Sequence, residues 1–148
     1  MSRRPAHGAE PQDQAGLAWQ LLVNLVMDSR GDWRRQVSEA TGMPFSRFRA
    51  LKRLKQERTL AELADGLGTD APAATVLVND LEQRGLVERR PHPEDRRAKL
   101  VSITPAGRRV VAVAKQIIDR PPPNFAALPE EDLALLRRIL EKLPSGEH

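Results

Sequence analysis

Cysteine is absent from the 148 residues, which excludes disulfides, thiolate metal sites and thiol-based redox sensing. Tyrosine is absent too, and three Phe and two Trp leave aliphatic side chains to fill the core. Histidine occurs three times. His7 and His148 lie in polar tails and His92 in a charged loop, so nothing stands at a metal-ligand spacing such as HxxxH. No Ser/His/Asp set or Gly-rich phosphate loop is present, so the sequence offers no catalytic residue, metal or cofactor, and the reading is not an enzyme. No apolar run approaches the ~18–20 residues of a membrane span, and no cleavable signal pattern opens the chain. The expectation is a cytoplasmic protein. Internal repeats and low-complexity segments are also lacking.

The length suits one domain with a real core. A net charge of +4 and a pI near 10.1 favour an anionic partner. Residues 1–13 carry Arg, Pro, Gly and Gln without periodicity and read as a loose arm, leaving 14–148 as the domain. From Gln14 to Ser29 the sequence is helical, with Leu17, Leu21 and Leu25 at i, i+4 and Ala18, Leu22 and Val26 widening the stripe. A helix apolar nearly all round must be covered on both sides, by the core or by a second subunit. Gly31 and Asp32 predict a break, with Asp32 capping a short helix through Val37 to Ala40 and Gly42 ending it. Met43-Pro44 opens a third helix with Phe45, Phe48, Leu51 and Leu54 on one face and Arg47, Arg49, Lys52, Arg53 and Lys55 on the other.

Next, Leu60, Leu63 and Ala64 begin a short helix that stops at Gly66–Gly68. Asp70 or Thr69 can cap its successor, which carries Pro72 in its first turn and runs through Thr75, Leu77, Val78 and Leu81 to Gly85. Two short helices joined by a Gly-containing turn form a helix-turn-helix pattern, whose second helix fits a major groove. The segments LVERR and KLVSIT then read as strands flanking a loop that holds Pro91, Pro93, Glu94 and Asp95 among five Lys or Arg residues. Thr104-Pro105 opens another helix, with Val110, Val113, Ala114 and Ile117 on one face. The PPPN at 121–124 predicts an extended, non-helical break. The last helix has acidic residues in its first turn, then Leu133, Leu136, Leu140 and Leu143 at 3–4–3 spacing, a seam suited to an interface of several helices.

The run GLVERRPHPEDRRAKLVSITPAG resembles the wing and flanking strands of the MarR family of bacterial transcription regulators. Asp95-Arg96-Arg97 fits the family's Asp-x-Arg signature, and Ile103-Thr104-Pro105-Ala106-Gly107 fits Leu-Thr-x-x-Gly with Ile for Leu. LAELADGLGT followed by VLVNDLEQRGLVERR is similar to the family's helix-turn-helix, so the likeness is strongest from about Thr59 to Arg108. The resemblance implies a mainly α (α+β) fold: a winged helix-turn-helix lobe over about 44–104, with dimerisation helices at 14–30 and 105–143. It also implies an obligate homodimer on double-stranded operator DNA, acting as a repressor, and a small aromatic effector seated between the dimer helices and the DNA lobe. Trp19, Trp33, Met43, Phe45 and Phe48 are the candidate lining of such a site.

By the same resemblance Arg97 enters the minor groove with Arg96 beside it, and Asp95 holds Arg97 by an ion pair. Arg89, Arg90 and Lys99 would take phosphates. The family's recognition helix commonly starts Ser-x-Ser-Thr-Val-Thr-Arg, whereas this chain has Asp70-Ala71-Pro72-Ala73-Ala74-Thr75-Val76. Thr75 and Asn79 remain as polar readers, with Ala73, Ala74 and Val76 available for thymine methyls. The last helix departs as well, with Leu128 before Pro129 where a capping Ser or Thr is usual. A second reading keeps the fold and changes the partner: a small-ligand sensor or scaffold whose winged-helix lobe binds protein.

Overall fold

Helix α1 (Pro11–Thr41) opens the computed structural model, which describes residues 11–144. It is followed by α2 (Phe45–Arg53), β1 (Arg58–Thr59), α3 (Leu60–Leu67), α4 (Ala71–Gln83), β2 (Val87–Pro91), β3 (Lys99–Ile103), α5 (Pro105–Ile118), α6 (Pro123–Ala126) and α7 (Glu130–Glu141). Two compact units divide the chain, the first ending at Ile118 and the second beginning at Asp119. The expected arm over 1–13 lies mostly outside the described residues, but Pro11–Asp13 already belongs to α1.

The predicted break at Gly31-Asp32 does not occur: α1 is one helix of 31 residues, roughly 46 Å long. A lone glycine costs a helix only about 1 kcal/mol, too little to interrupt one held by tertiary packing farther along. Val37, fully buried with Phe48 and Ala114, supplies that packing. Asp32 caps nothing and instead pairs with Arg35 one turn on, at 3.2 Å. The helix ends where expected, at Gly42, whose φ of +67° is the left-handed conformation that favours glycine.

The remaining elements of the first unit surround one core. Leu51 and Leu54 from the α2 region, Leu63 from α3, Val78 and Leu81 from α4, and Val87 and Val101 from the sheet pack into one apolar cluster. Val111 of α5 touches both this cluster and the smaller one around Val37, so the two apolar clusters are continuous. The sheet has the order β1-β3-β2 and is antiparallel, with Val87 opposite Ile103 and Pro91 opposite Lys99. The two-residue β1, which sequence patterning misses, pairs Arg58 with Val101 and places β3 in the middle.

At the base of the hairpin, Thr104 joins three elements. Its hydroxyl donates to the Gly85 carbonyl at 2.7 Å and accepts from the Gly107 N–H at 3.1 Å, capping α5 while gripping the turn after α4. Gly107 is buried so closely on Leu86 that an added Cβ would stand 2.2 Å from the Leu86 carbonyl oxygen.

In the second unit, the PPPN stretch is only partly the extended break predicted for it. Pro122 is extended (φ −64°, ψ 153°), but Pro123 and Asn124 start the single turn α6. Proline's fixed φ and missing N–H suit a first helical position. Glu130, Glu131 and Asp132 occupy the first turn of α7, and Pro129 stands at its cap without a side-chain hydrogen bond. Leu133, Leu136, Leu140 and Leu143 line an open groove together with Phe125.

Candidate nucleic-acid interface

Helix α3 starts with a capping box: the Thr59 hydroxyl accepts from the Glu62 N–H, and the Glu62 carboxylate accepts from the Thr59 N–H. Gly68, at φ +64°, ends α3, and the Asp70 carboxylate then accepts from the Ala73 N–H at 2.8 Å to cap α4. Of the two caps open in the sequence, Asp70 is the one used. Ala74, Val78 and Leu81 turn inward and are fully buried, so Ala74 is unavailable to a base and that expectation is corrected. Pro72, Val76, Asn79 and Gln83 form the outward stripe, with Ala73 and Thr75 half-buried beside it. Val76 is 60% exposed, a large apolar side chain at the centre of that stripe. The Thr75 hydroxyl donates to the Ala71 carbonyl at 2.9 Å and keeps its acceptor capacity.

The wing tip is organised by its backbone. The His92 N–H donates to the Ala98 carbonyl at 3.2 Å, and Nδ1 of His92 accepts from the N–H groups of Glu94 and Asp95, each at 3.1 Å. His92 therefore has a structural task that its lone position in the sequence did not reveal. Asp95 differs from expectation. It makes no ion pair with Arg97 among the described residues; its carboxylate accepts from the Arg97 backbone N–H at 3.0 Å. This is the short-range turn that Asp favours two residues ahead of a donor, and it fixes the tip's backbone while leaving the guanidinium outward. Arg96 and Arg97 are both exposed and carry no ion pair among the described residues.

Arg89 and Arg90, expected to grip phosphates, are paired within the chain. Arg90 holds both Glu57 oxygens, its Nε at 3.1 Å from Oε1 and its Nη2 on Oε2. Arg89 forks onto Glu82 of α4 through Nε and Nη2, at 3.1 Å each, and its Nη2 also donates to the Asn79 Oδ1 at 2.8 Å. The wing strand is thereby tied to the outward face of α4. Lys99 remains exposed.

A second clamp holds α4 from behind. Asp80 accepts from Arg47 of α2 at 2.8 Å and from Arg84 at 3.2 Å, and Arg84 reaches the Gly42 carbonyl at 3.3 Å. The Arg47 hydrogen bond holds the Asp80 carboxyl below its ordinary value, against partial burial and with help from Arg84. Glu82 is lowered likewise by Arg89, and Arg89 is raised in turn by Glu82. Arg90 is raised by Glu57.

A winged helix-turn-helix of this geometry can be compared with known proteins. Residues 41–98 match the MarR family model. The transcriptional regulator HosA of Escherichia coli O111:H- is 26% identical over 127 residues, spanning 85% of this chain and 93% of HosA. Wild-type MarR of E. coli superposes with a TM-score of 0.68 at 24% identity, covering 84% of this chain and 96% of MarR. A cysteine-to-serine mutant of E. coli MarR, complexed with operator DNA, gives a TM-score of 0.56 at 25% identity, over 83% and 94% of the two chains. Over residues 41–98 the chain is similar to the MarR family, and its fold is that of the solved MarR structures.

In this chain the five residues expected to line an effector site do not form one group. Trp33 meets Phe45 edge-on at 5.5 Å, Phe45 meets Phe48 at 5.3 Å, and the Arg34 guanidinium lies 4.8 Å over the Phe45 ring. Met43 is buried in the helix-turn-helix core instead. Trp19 stands 67% exposed on the same helix as Trp33 but fourteen residues earlier, about 21 Å away along the axis. The missed members of the arrangement are Arg34, Glu57, Glu82 and His92. Arg34, Glu57 and Glu82 act through partners seven or more residues away, and His92 through the backbone N–H groups of Glu94 and Asp95, and neither leaves a periodic signal.

Proposed function

We propose that the protein is a sequence-specific, double-stranded DNA-binding transcription regulator that works as a homodimeric repressor. The observation that carries this reading is the pairing of an outward α4 stripe with a wing whose tip carries two exposed arginines, free of ion pairs among the described residues. On this reading the α4 residues Ala73, Thr75, Val76 and Asn79 face a major groove. Arg97 and Arg96 enter the flanking minor groove, where negative potential is enhanced. Lys99 takes a phosphate; Arg89 and Arg90 contribute by holding the lobe in shape, a role their intrachain pairs support better than direct phosphate contact. The operator complex known for the related MarR mutant supports the choice of partner.

The exposed apolar side chains of α1, Leu17, Trp19, Leu21, Val26 and Met27, support a second copy as their cover. Two lobes would then read half-sites ~10 bp apart. The effector belongs at the Trp33, Phe45 and Phe48 cluster, where Arg34 favours a small aromatic anion. The reading places the protein in the cytoplasm and gives it no catalytic task. Among the described residues, no helix is long and apolar enough to cross a membrane.

The test is DNA binding in a salt series. The wild-type protein should bind with a steep salt dependence, and Arg97→Ala should weaken binding and lower the log–log slope by about one. Weak, salt-insensitive retention of the wild type would favour the protein-binding alternative, and an Arg97→Ala variant of unchanged affinity and slope removes the wing assignment.

A further inference from the structure

The outward stripe of α4 has one fully polar member near its centre, Asn79, and that side chain is not free to choose its own orientation. The guanidinium of Arg89 offers only donors, so the amide atom turned toward it must be the carbonyl oxygen. Arg89 Nη2 reaches Asn79 Oδ1 at 2.8 Å, and the Glu82 carboxylate holds the guanidinium from its other edge through two bonds of 3.1 Å. A bidentate carboxylate pair fixes the plane of the arginine, so the oxygen of Asn79 is anchored toward β2 and its amino group is aimed away from it.

We propose that Asn79 reads its base pair as a donor and selects guanine over adenine there; the inference rests on the DNA-binding reading above. An unconstrained asparagine recognises adenine in the major groove, accepting from N6 and donating to N7. That contact needs a freely presented carbonyl. In this chain the carbonyl already holds a charged donor, and its remaining lone pair lies beside guanidinium N–H groups that oppose an incoming adenine amino group. Guanine presents two adjacent acceptors, O6 and N7, which suit the two amide hydrogens that remain. Arg89 is the positioning residue and Glu82 holds it in place. The recognition helix lacks an arginine of its own at its outward positions, and this relay lets an asparagine do what arginine ordinarily does at guanine.

The experiment is selection of bound sequences from a random DNA library, read by sequencing, for four proteins: wild type, Asn79→Ala, Arg89→Ala and Arg89→Ala/Glu82→Ala. Asn79→Ala should flatten the preference at one base pair per half-site, which identifies the position that Asn79 faces. At that position the wild type should prefer guanine over adenine about tenfold. Releasing the carbonyl in Arg89→Ala and in the double variant should bring that ratio to parity or reverse it, even where overall affinity falls. The inference is overturned if the Asn79-dependent base is adenine in the wild type, if the guanine preference survives both Arg89 variants, or if Asn79→Ala flattens no position. If the wild type itself enriches no motif, the DNA-reading proposal fails and takes this inference with it.

Discussion

Asp80 shows how much a single side chain can settle. It sits on α4 and accepts from Arg47 and Arg84, and these donors hold its carboxyl below the ordinary value. In the unfolded chain that value returns to the usual range, so on acidification the unfolded state takes up the proton first. The stability contributed by Asp80 is therefore fully present above the ordinary carboxylate range, about pH 4, and is lost as pH falls through the lower folded value. Asp80→Asn should accordingly lower Tm most near about pH 7, with the gap to wild type closing toward about pH 3. A gap that stays constant over that range would remove the ion pairs as its cause. At this scale the sequence was an uneven guide. Arg96 and Arg97 stand exposed at the wing tip, while Asp95 braces backbone rather than side chain. A local turn of that kind competes with an ion pair for the same carboxylate, and spacing alone does not say which is made.

Helices and strands were legible where their signals are local. The Asp70 cap, the Pro72 first turn, the Gly68 and Gly85 stops and the hairpin strands all follow from short-range chemistry. Two glycines show where local reading fails. Gly31 looks like a breaker but lies inside α1 with open space where a Cβ would point, whereas Gly107, unremarked for packing, has no room at all. Gly31→Ala should therefore stabilise the protein by about 0.5–1 kcal/mol through a less flexible unfolded chain and better helix propensity. Gly107→Ala should cost about 2 kcal/mol or more, since either the Leu86 backbone or α5 must move. Urea unfolding at one protein concentration checks both; equal effects of like sign would contradict the packing described. Strand β1 escaped notice because two residues carry no periodicity, and it exists only because β3 offers a free edge to pair with.

For the whole molecule the open question is what covers its apolar surface. Leu21 is 62% exposed on α1, amid Leu17, Trp19, Val26 and Met27, and Leu135, Ile139 and Leu140 of α7 are also exposed, with Leu143 just beyond its end. Burying one leucine contributes roughly 2 kcal/mol, so Leu21→Glu should weaken a dimer at least about thirtyfold. Sedimentation equilibrium should show that loss, together with weaker DNA binding; a wild-type monomer at micromolar concentration would refute the dimer. By itself the sequence determined the class of fold, the order of its helices and hairpin, the wing motif and the absence of thiol chemistry. The helices and hairpin rest on periodicity, caps and turn residues, which act within a few residues of one another; the fold class and wing rest on the family resemblance, and the lack of thiol chemistry on composition. Only the tertiary structure decided that α1 is continuous, that Ala74 faces inward and that Trp19 stands apart from Trp33. It also decided that Arg89 spends its charge on Glu82 and Asn79. Those outcomes depend on which remote group arrives within about 3 Å, a distance set by packing of the whole lobe and absent from any local pattern.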